Sequence, residues 1–184
     1  MSSTQCISLL FLLWVMGSCV SDPDTIKRIT AGEDPNKEHA HQVRLVYSQS
    51  GQIKAELEAP LMVRTVEGEK ITTELPEGLL LRFFDEKLQE QSRLTADYGV
   101  VYEHADEMIA RNRVVATNIN GDKLETEELI WNQKTRRIYS DKFVRITTGD
   151  EMMFGDGFES NEDLTNYKIR KIRGTVRLEG SAMP

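Results

Sequence analysis

The sequence predicts an all-β protein of antiparallel strands, on three observations. Apolar residues recur at every second position in many short runs, the period of a strand with one buried face. Turn signals built on Gly, Pro and Asn-Gly recur about every eight to twelve residues, the spacing of a sandwich or barrel. Only residues 85–93 and 103–110 have a helical look, and both are short enough to be loops or strand extensions.

The elements follow in order. Ile7 to Met16 is nearly pure hydrocarbon; as a helix it covers roughly 15 Å, half of a ~30 Å bilayer core, so it suits a signal peptide rather than a span. Met16-Gly17-Ser18-Cys19 resembles the lipobox of bacterial lipoproteins, which implies cleavage after residue 18 and acylation of Cys19. An uncleaved anchor and a buried N-terminal helix remain as alternatives. Residues 19–42 are polar and hold Pro23, Gly32 and Pro35, the composition of a tether. The folded domain is expected over 43–180, with 181–184 as a tail.

Within that domain Val43, Leu45 and Tyr47 alternate with Arg44, Val46 and Ser48, and Ser50-Gly51 turns the chain. Ile53, Ala55 and Leu57 share the next face, and Leu79, Leu81 and Phe83 another. Asn120-Gly121 marks a tight hairpin. The apolar face shifts by one residue near Glu127-Glu128, the signature of a β-bulge. Tyr167 to Leu178 forms a long last strand.

Composition excludes several classes. The 184 residues fit one domain, and 30 acidic against 23 basic residues give a net charge of −7, opposite to the cationic footprint that nucleic acid requires. Two Cys cannot build a disulfide framework, and one apolar run rules out a multi-pass membrane protein. His39 and His41 lie without a third ligand beside them, and Asp156, Glu159, Asn161 and Asp163 lack the Gly and terminal Glu of an EF-hand. No nucleophile motif or phosphate loop is present. No enzyme, metal or cofactor is expected.

The strands carry a resemblance. Leu94-Thr-Ala-Asp-Tyr-Gly-Val-Val-Tyr, Asn112-Arg-Val-Val-Ala-Thr, Leu124-Glu-Thr-Glu-Glu-Leu-Ile-Trp, Ile138-Tyr-Ser-Asp-Lys-Phe-Val, Gly155-Asp-Gly-Phe-Glu-Ser and Tyr167-Lys-Ile-Arg-Lys-Ile-Arg-Gly, in that order, resemble the LptC family of lipopolysaccharide-export proteins. The resemblance implies a β-jellyroll, two antiparallel sheets folded like a taco around an apolar groove. It also implies a periplasmic place at the inner membrane. There the family receives lipopolysaccharide from an ABC transporter and passes it to a periplasmic bridge protein related to LptA.

Acyl chains need apolar length rather than directional chemistry, and burying a few hundred Å² of them is worth several kcal/mol at ~25 cal/mol per Å². Residues expected to line the groove are Leu94, Ala96, Val115, Thr117, Leu124, Thr126, Leu129, Trp131, Ile138, Val144 and Ile146. Ordinary core packing would show the same alternation, so a filled β-sandwich acting as an envelope adaptor is the alternative. The last strand, through Tyr167, Ile169, Ile172, Gly174 and Val176, is expected to be an open edge to which a partner adds a strand.

Overall fold

The computed structural model describes residues 34–178. The expected leader, Cys19 and the tail from 181 lie outside them. Eleven strands form one sheet: β1 (Lys37–Gln49), β2 (Gln52–Glu67), β3 (Lys70–Leu75), β4 (Leu79–Phe84), β5 (Glu90–Ala96), β6 (Tyr98–Tyr102), β7 (Glu107–Asn118), β8 (Lys123–Asn132), β9 (Arg137–Thr147), β10 (Glu151–Asn161) and β11 (Tyr167–Arg177). A 3₁₀ turn at Glu103–Ala105 is the sole helical element among the described residues.

Every pairing is antiparallel and joins segments that are close in sequence. β3 and β4 both pair with β2, and β5 and β6 both pair with β7. Each couple is therefore one long strand interrupted in its middle, so the sheet is an up-and-down meander. Among the described residues β1 and β11 stand at its two ends, each paired on one side only.

The tight turns follow their chemistry. Ser50 and Gly51 have φ of 53° and 77°, the two positive values of a type I′ hairpin. At the Asn120-Gly121 turn the Asn118 side-chain oxygen accepts from the N–H groups of Asn120 and Asp122, at 3.0 and 2.9 Å. Residues 85–89 form a loop, not a helix, because Asp85 Oδ1 accepts from the backbone of Lys87 and Gln89 at 2.8 Å each.

A line of irregularities crosses the middle of the strands. On β1, Gln42 takes φ 49° opposite Pro60, which has no N–H to offer the ladder. Gly78, with φ 90°, separates β3 from β4, and Asp97 separates β5 from β6. On β7 Asn112 and Arg113 both have positive φ and face the single residue Glu127 of β8, which is a bulge. β10 breaks its register at Gly157, φ 79°. Bulges bend strands and raise their twist, and here they align into a crease along which the sheet doubles over. The crease is stapled at its centre, where Arg113 donates to both carboxylate oxygens of Asp97 at 2.5 and 2.8 Å. The Asp97 N–H also donates to the Asn112 carbonyl at 3.1 Å. Two clefts of about 1010 and 680 Å³ lie along it, both lined by Asp97 and Arg113.

The concave faces of the two halves meet in one apolar core. Phe83 of β4 and Tyr47 of β1, in the first half, set their rings edge-on to Trp131 of β8, in the second, with centroids 5.0 and 5.5 Å apart. The result is the folded two-layer jellyroll expected from the resemblance.

The first strand begins at Lys37 rather than Val43, so part of the segment read as a tether pairs with β2 as far as Thr65. Its polar residues hide the strand, because an edge with both faces largely in solvent needs no alternation.

Between strands on the outer side, the Tyr98 hydroxyl donates to Glu74 at 2.6 Å and the Tyr139 hydroxyl to Glu107 at 2.9 Å. Burial, then the neighbouring carboxylate, pushes each phenol up to about 12. The unfolded chain therefore releases these protons first, and stability falls as pH climbs from about 10 toward 12. In a phenolate absorbance titration the Tyr98 and Tyr139 steps should come late, and these late steps should vanish in a Tyr98→Phe, Tyr139→Phe chain. A single wave near pH 10 would contradict this.

Candidate functional site: an apolar slot between the two halves of the sheet

The groove residues expected from sequence come mostly to one place. Leu94 and Ala96 on β5, Leu124, Leu129 and Trp131 on β8, and Ile138, Val144 and Ile146 on β9 all belong to the core cluster. Ile138 and Val144 are fully enclosed. Thr126 joins them at the crease, its hydroxyl donating to the Phe143 carbonyl at 2.8 Å. The shift of face read at Glu127-Glu128 is visible in the burial: Leu124 and Thr126 point inward before it, Leu129 and Trp131 after it.

Val115 and Thr117 are a correction. They lie on the outer face, and the inward residues of β7 beyond the bulge are Val114, Ala116 and Asn118. Residues directly opposite in an antiparallel pair share a face. Ala116 sits opposite Leu94 on one side and Leu124 on the other, and Val114 sits opposite Thr126. The apolar pair Val114-Val115 fits either phase, and Ile119, which is in phase with Val115 and Thr117, is an exposed turn residue.

Around the inward residues the interior is packed, and space remains at one end. An apolar slot of about 160 Å³ lies between the halves, lined by Tyr47, Leu57 and Leu81 from the first and Val101, Met108 and Trp131 from the second. Leu45 and Val46, 41 % and 51 % exposed, stand at its rim on β1. An apolar cavity of roughly 150 Å³ stays dry and takes one benzene-sized guest. The slot as it stands therefore seats the end of one hydrocarbon chain, and a longer guest requires the halves to part.

Of these lining residues only Trp131 was singled out from sequence. Leu57 and Leu81 carried the right alternation, but nothing in the sequence says which end of the core is left unfilled. Met108 was masked by the helical look of residues 103–110; only Glu103–Ala105 turn helically, and β7 begins at Glu107.

Beside the slot, Trp131 Nε1 donates to Glu162 Oε1 at 3.0 Å, and Arg136 Nε donates to Glu162 Oε2 at 2.8 Å. This carboxylate is nearly enclosed and satisfied by both donors.

The expected partner edge is an edge. β11 ends the sheet, with Ile172 and Val176 exposed and Tyr167 and Ile169 packed against the core. A Cβ on Gly174 would meet nothing within 4 Å. Arg170 pairs with Asp141, and Arg173 with Asp156 at 2.7 Å, so these cations of the basic strand are partly neutralised on their own surface. Among the described residues no three His, Cys, Asp or Glu are grouped to hold a metal ion. Among the same residues no helix is long and apolar enough to cross a membrane.

No curated protein matches the chain. A match to the family described as lipopolysaccharide-assembly, LptC-related, runs from residue 6 to residue 176. With that length matched and a creased β-jellyroll beneath it, the chain belongs to the LptC family, non-catalytic components of lipopolysaccharide transport that are associated with the periplasm and inner membrane.

Proposed function

We propose that this protein carries the acyl part of lipopolysaccharide between the two halves of its sheet. It receives the lipid from the inner-membrane ABC transporter and passes it to an LptA-like periplasmic bridge protein that adds a strand to β11. The observation that carries the reading is the slot: it is apolar, reached past exposed Leu45 and Val46, and continuous with the core cluster through Trp131. Extending an acyl chain past Trp131 exchanges side-chain contacts for chain contacts, so the interior residues Leu94, Leu129, Ile138 and Ile146 become the groove when the halves separate. Acylation of Cys19 would hold the domain at the membrane, since each buried CH₂ adds ~0.8 kcal/mol.

The closed packing of Ile138 and Val144 favours a second reading, an envelope adaptor whose core takes no lipid. A photocrosslinking residue at Val46 separates the two. In living cells it should capture lipopolysaccharide, while the same residue at Leu88, exposed on the β4–β5 loop, should not. Equal capture at both positions, or none at Val46, would leave the adaptor. Intact-mass measurement of the detergent-extracted protein should show a chain starting at acylated Cys19.

A further inference from the structure

The connection between β10 and β11 folds inward. Leu164, at its tip, takes φ 58° and is 6 % exposed. A left-handed conformation is costly for a branched apolar residue, and here it turns the side chain into the core cluster. The polar atoms of the same loop reach both halves of the sheet. Toward the first half, Ser92 Oγ donates to the Glu162 carbonyl at 2.5 Å, and Asn118 Nδ2 donates to the Leu164 carbonyl at 3.2 Å; Ser92 and Asn118 are cross-strand partners at the end of β5 and β7. Toward the second half, the Glu162 carboxylate holds Trp131 and Arg136. The loop is braced from within, the Asn166 N–H donating to Asn161 Oδ1 at 3.1 Å and the Thr165 N–H to Asp163 Oδ1 at 2.9 Å.

The crease joins the two halves on one side, and this loop adds polar links between them on the other, beside the ring contacts of Trp131 with Tyr47 and Phe83. We infer that residues 162–166 are a clasp that locks the halves together, and that an acyl chain longer than the slot accommodates is admitted only when the clasp lets go. The inference rests on the proposed acyl site. The clasp is built for release: one side chain and a few hydrogen bonds hold it, and it interrupts no strand. Because Trp131 lines the slot and also donates to Glu162, a guest that displaces the indole removes one of the clasp's own donors. The strand that follows the clasp is the edge β11, so a partner adding to that edge works on the root of the same loop.

The test is amide hydrogen exchange of the full chain at residues 160–166, with and without purified lipopolysaccharide, alongside lipid uptake by Glu162→Ala and Leu164→Gly. Glycine accepts the positive φ while deleting the buried side chain, so the second variant opens the clasp without straining the backbone. Each variant should exchange at least about tenfold faster at these amides than the wild type, as expected when charge-assisted bonds or buried contacts leave a locally opening segment. Lipopolysaccharide should raise exchange in the wild type, and both variants should take it up faster. Binding with protection at 160–166 unchanged would overturn the clasp and leave the acyl site standing, as would uptake by the variants no faster than by the wild type. Failure of the wild type and of both opened variants to bind would overturn the acyl site and the clasp with it.

Discussion

Replacing Trp131 with alanine should lower the unfolding free energy by about 3–5 kcal/mol, the usual cost of deleting a buried large aromatic. The indole is 5 % exposed, meets Tyr47 and Phe83 edge-on across the fold, and donates to Glu162. Its loss therefore removes contacts between the two halves as well as within one. In a domain of this size the thermal midpoint should drop by roughly 10 °C. Trp131→Phe keeps a ring in the cavity but loses the N–H donor and part of the indole's volume, so it should cost less than alanine, with the lost bond to a charged acceptor alone worth about 1.5–3 kcal/mol. Thermal or urea unfolding followed by circular dichroism checks both. If alanine proved no worse than phenylalanine, the ring contacts would have to be discounted as a source of cohesion.

The second large effect is at Gly155. A Cβ there would meet Ile169 and come within 2.6 Å of the Lys171 carbonyl on the adjacent strand. No rotamer relieves a collision with backbone, so Gly155→Val should destabilise by about 3 kcal/mol, at the upper end of ordinary overpacking. The damage should be local to the β10–β11 ladder, seen as loss of amide protection along β11. Gly174→Phe is the contrasting change. Nothing lies within 4 Å of its Cβ, so stability should stay within about 0.5 kcal/mol, while capture of the bridge protein in a pull-down should fall at least tenfold if the partner's backbone approaches there. Undiminished capture by the folded Gly174→Phe chain would rule out docking at this part of the edge.

Much of the fold was legible because a half-buried strand writes its period into the sequence. Ala55, Leu57, Leu81 and Phe83 announce their inward face, and Asn120-Gly121 announces its turn. The crease was legible in part. The phase slip at Glu127-Glu128 showed on β8, but its cause on β7, two consecutive positive-φ residues at Asn112 and Arg113, carries no glycine to mark it. Without that cross-strand register the inward set of β7 was misassigned to Val115 and Thr117. The start of β1 was hidden for the opposite reason: His39 and His41 pair with β2 yet stay exposed, so burial imposes no pattern on them. Leu164 was the least readable. A single leucine in Asn-Glu-Asp-Leu-Thr-Asn looks like an incidental loop residue, and its burial depends on Ser92 and Asn118, which are far away in the chain.

The meander has a bearing on how the protein is made. Each segment finds its ladder in the stretch synthesised just before it, so hairpins can close in succession as a polypeptide emerges from one end. Assembly then resembles rolling up a ribbon more than threading a knot, and low separation between partners favours speed. The contacts of the 162–166 loop must wait. Ser92 meets Glu162, seventy positions further along the chain, so the finished shape is fastened last, after nearly the whole domain has been delivered.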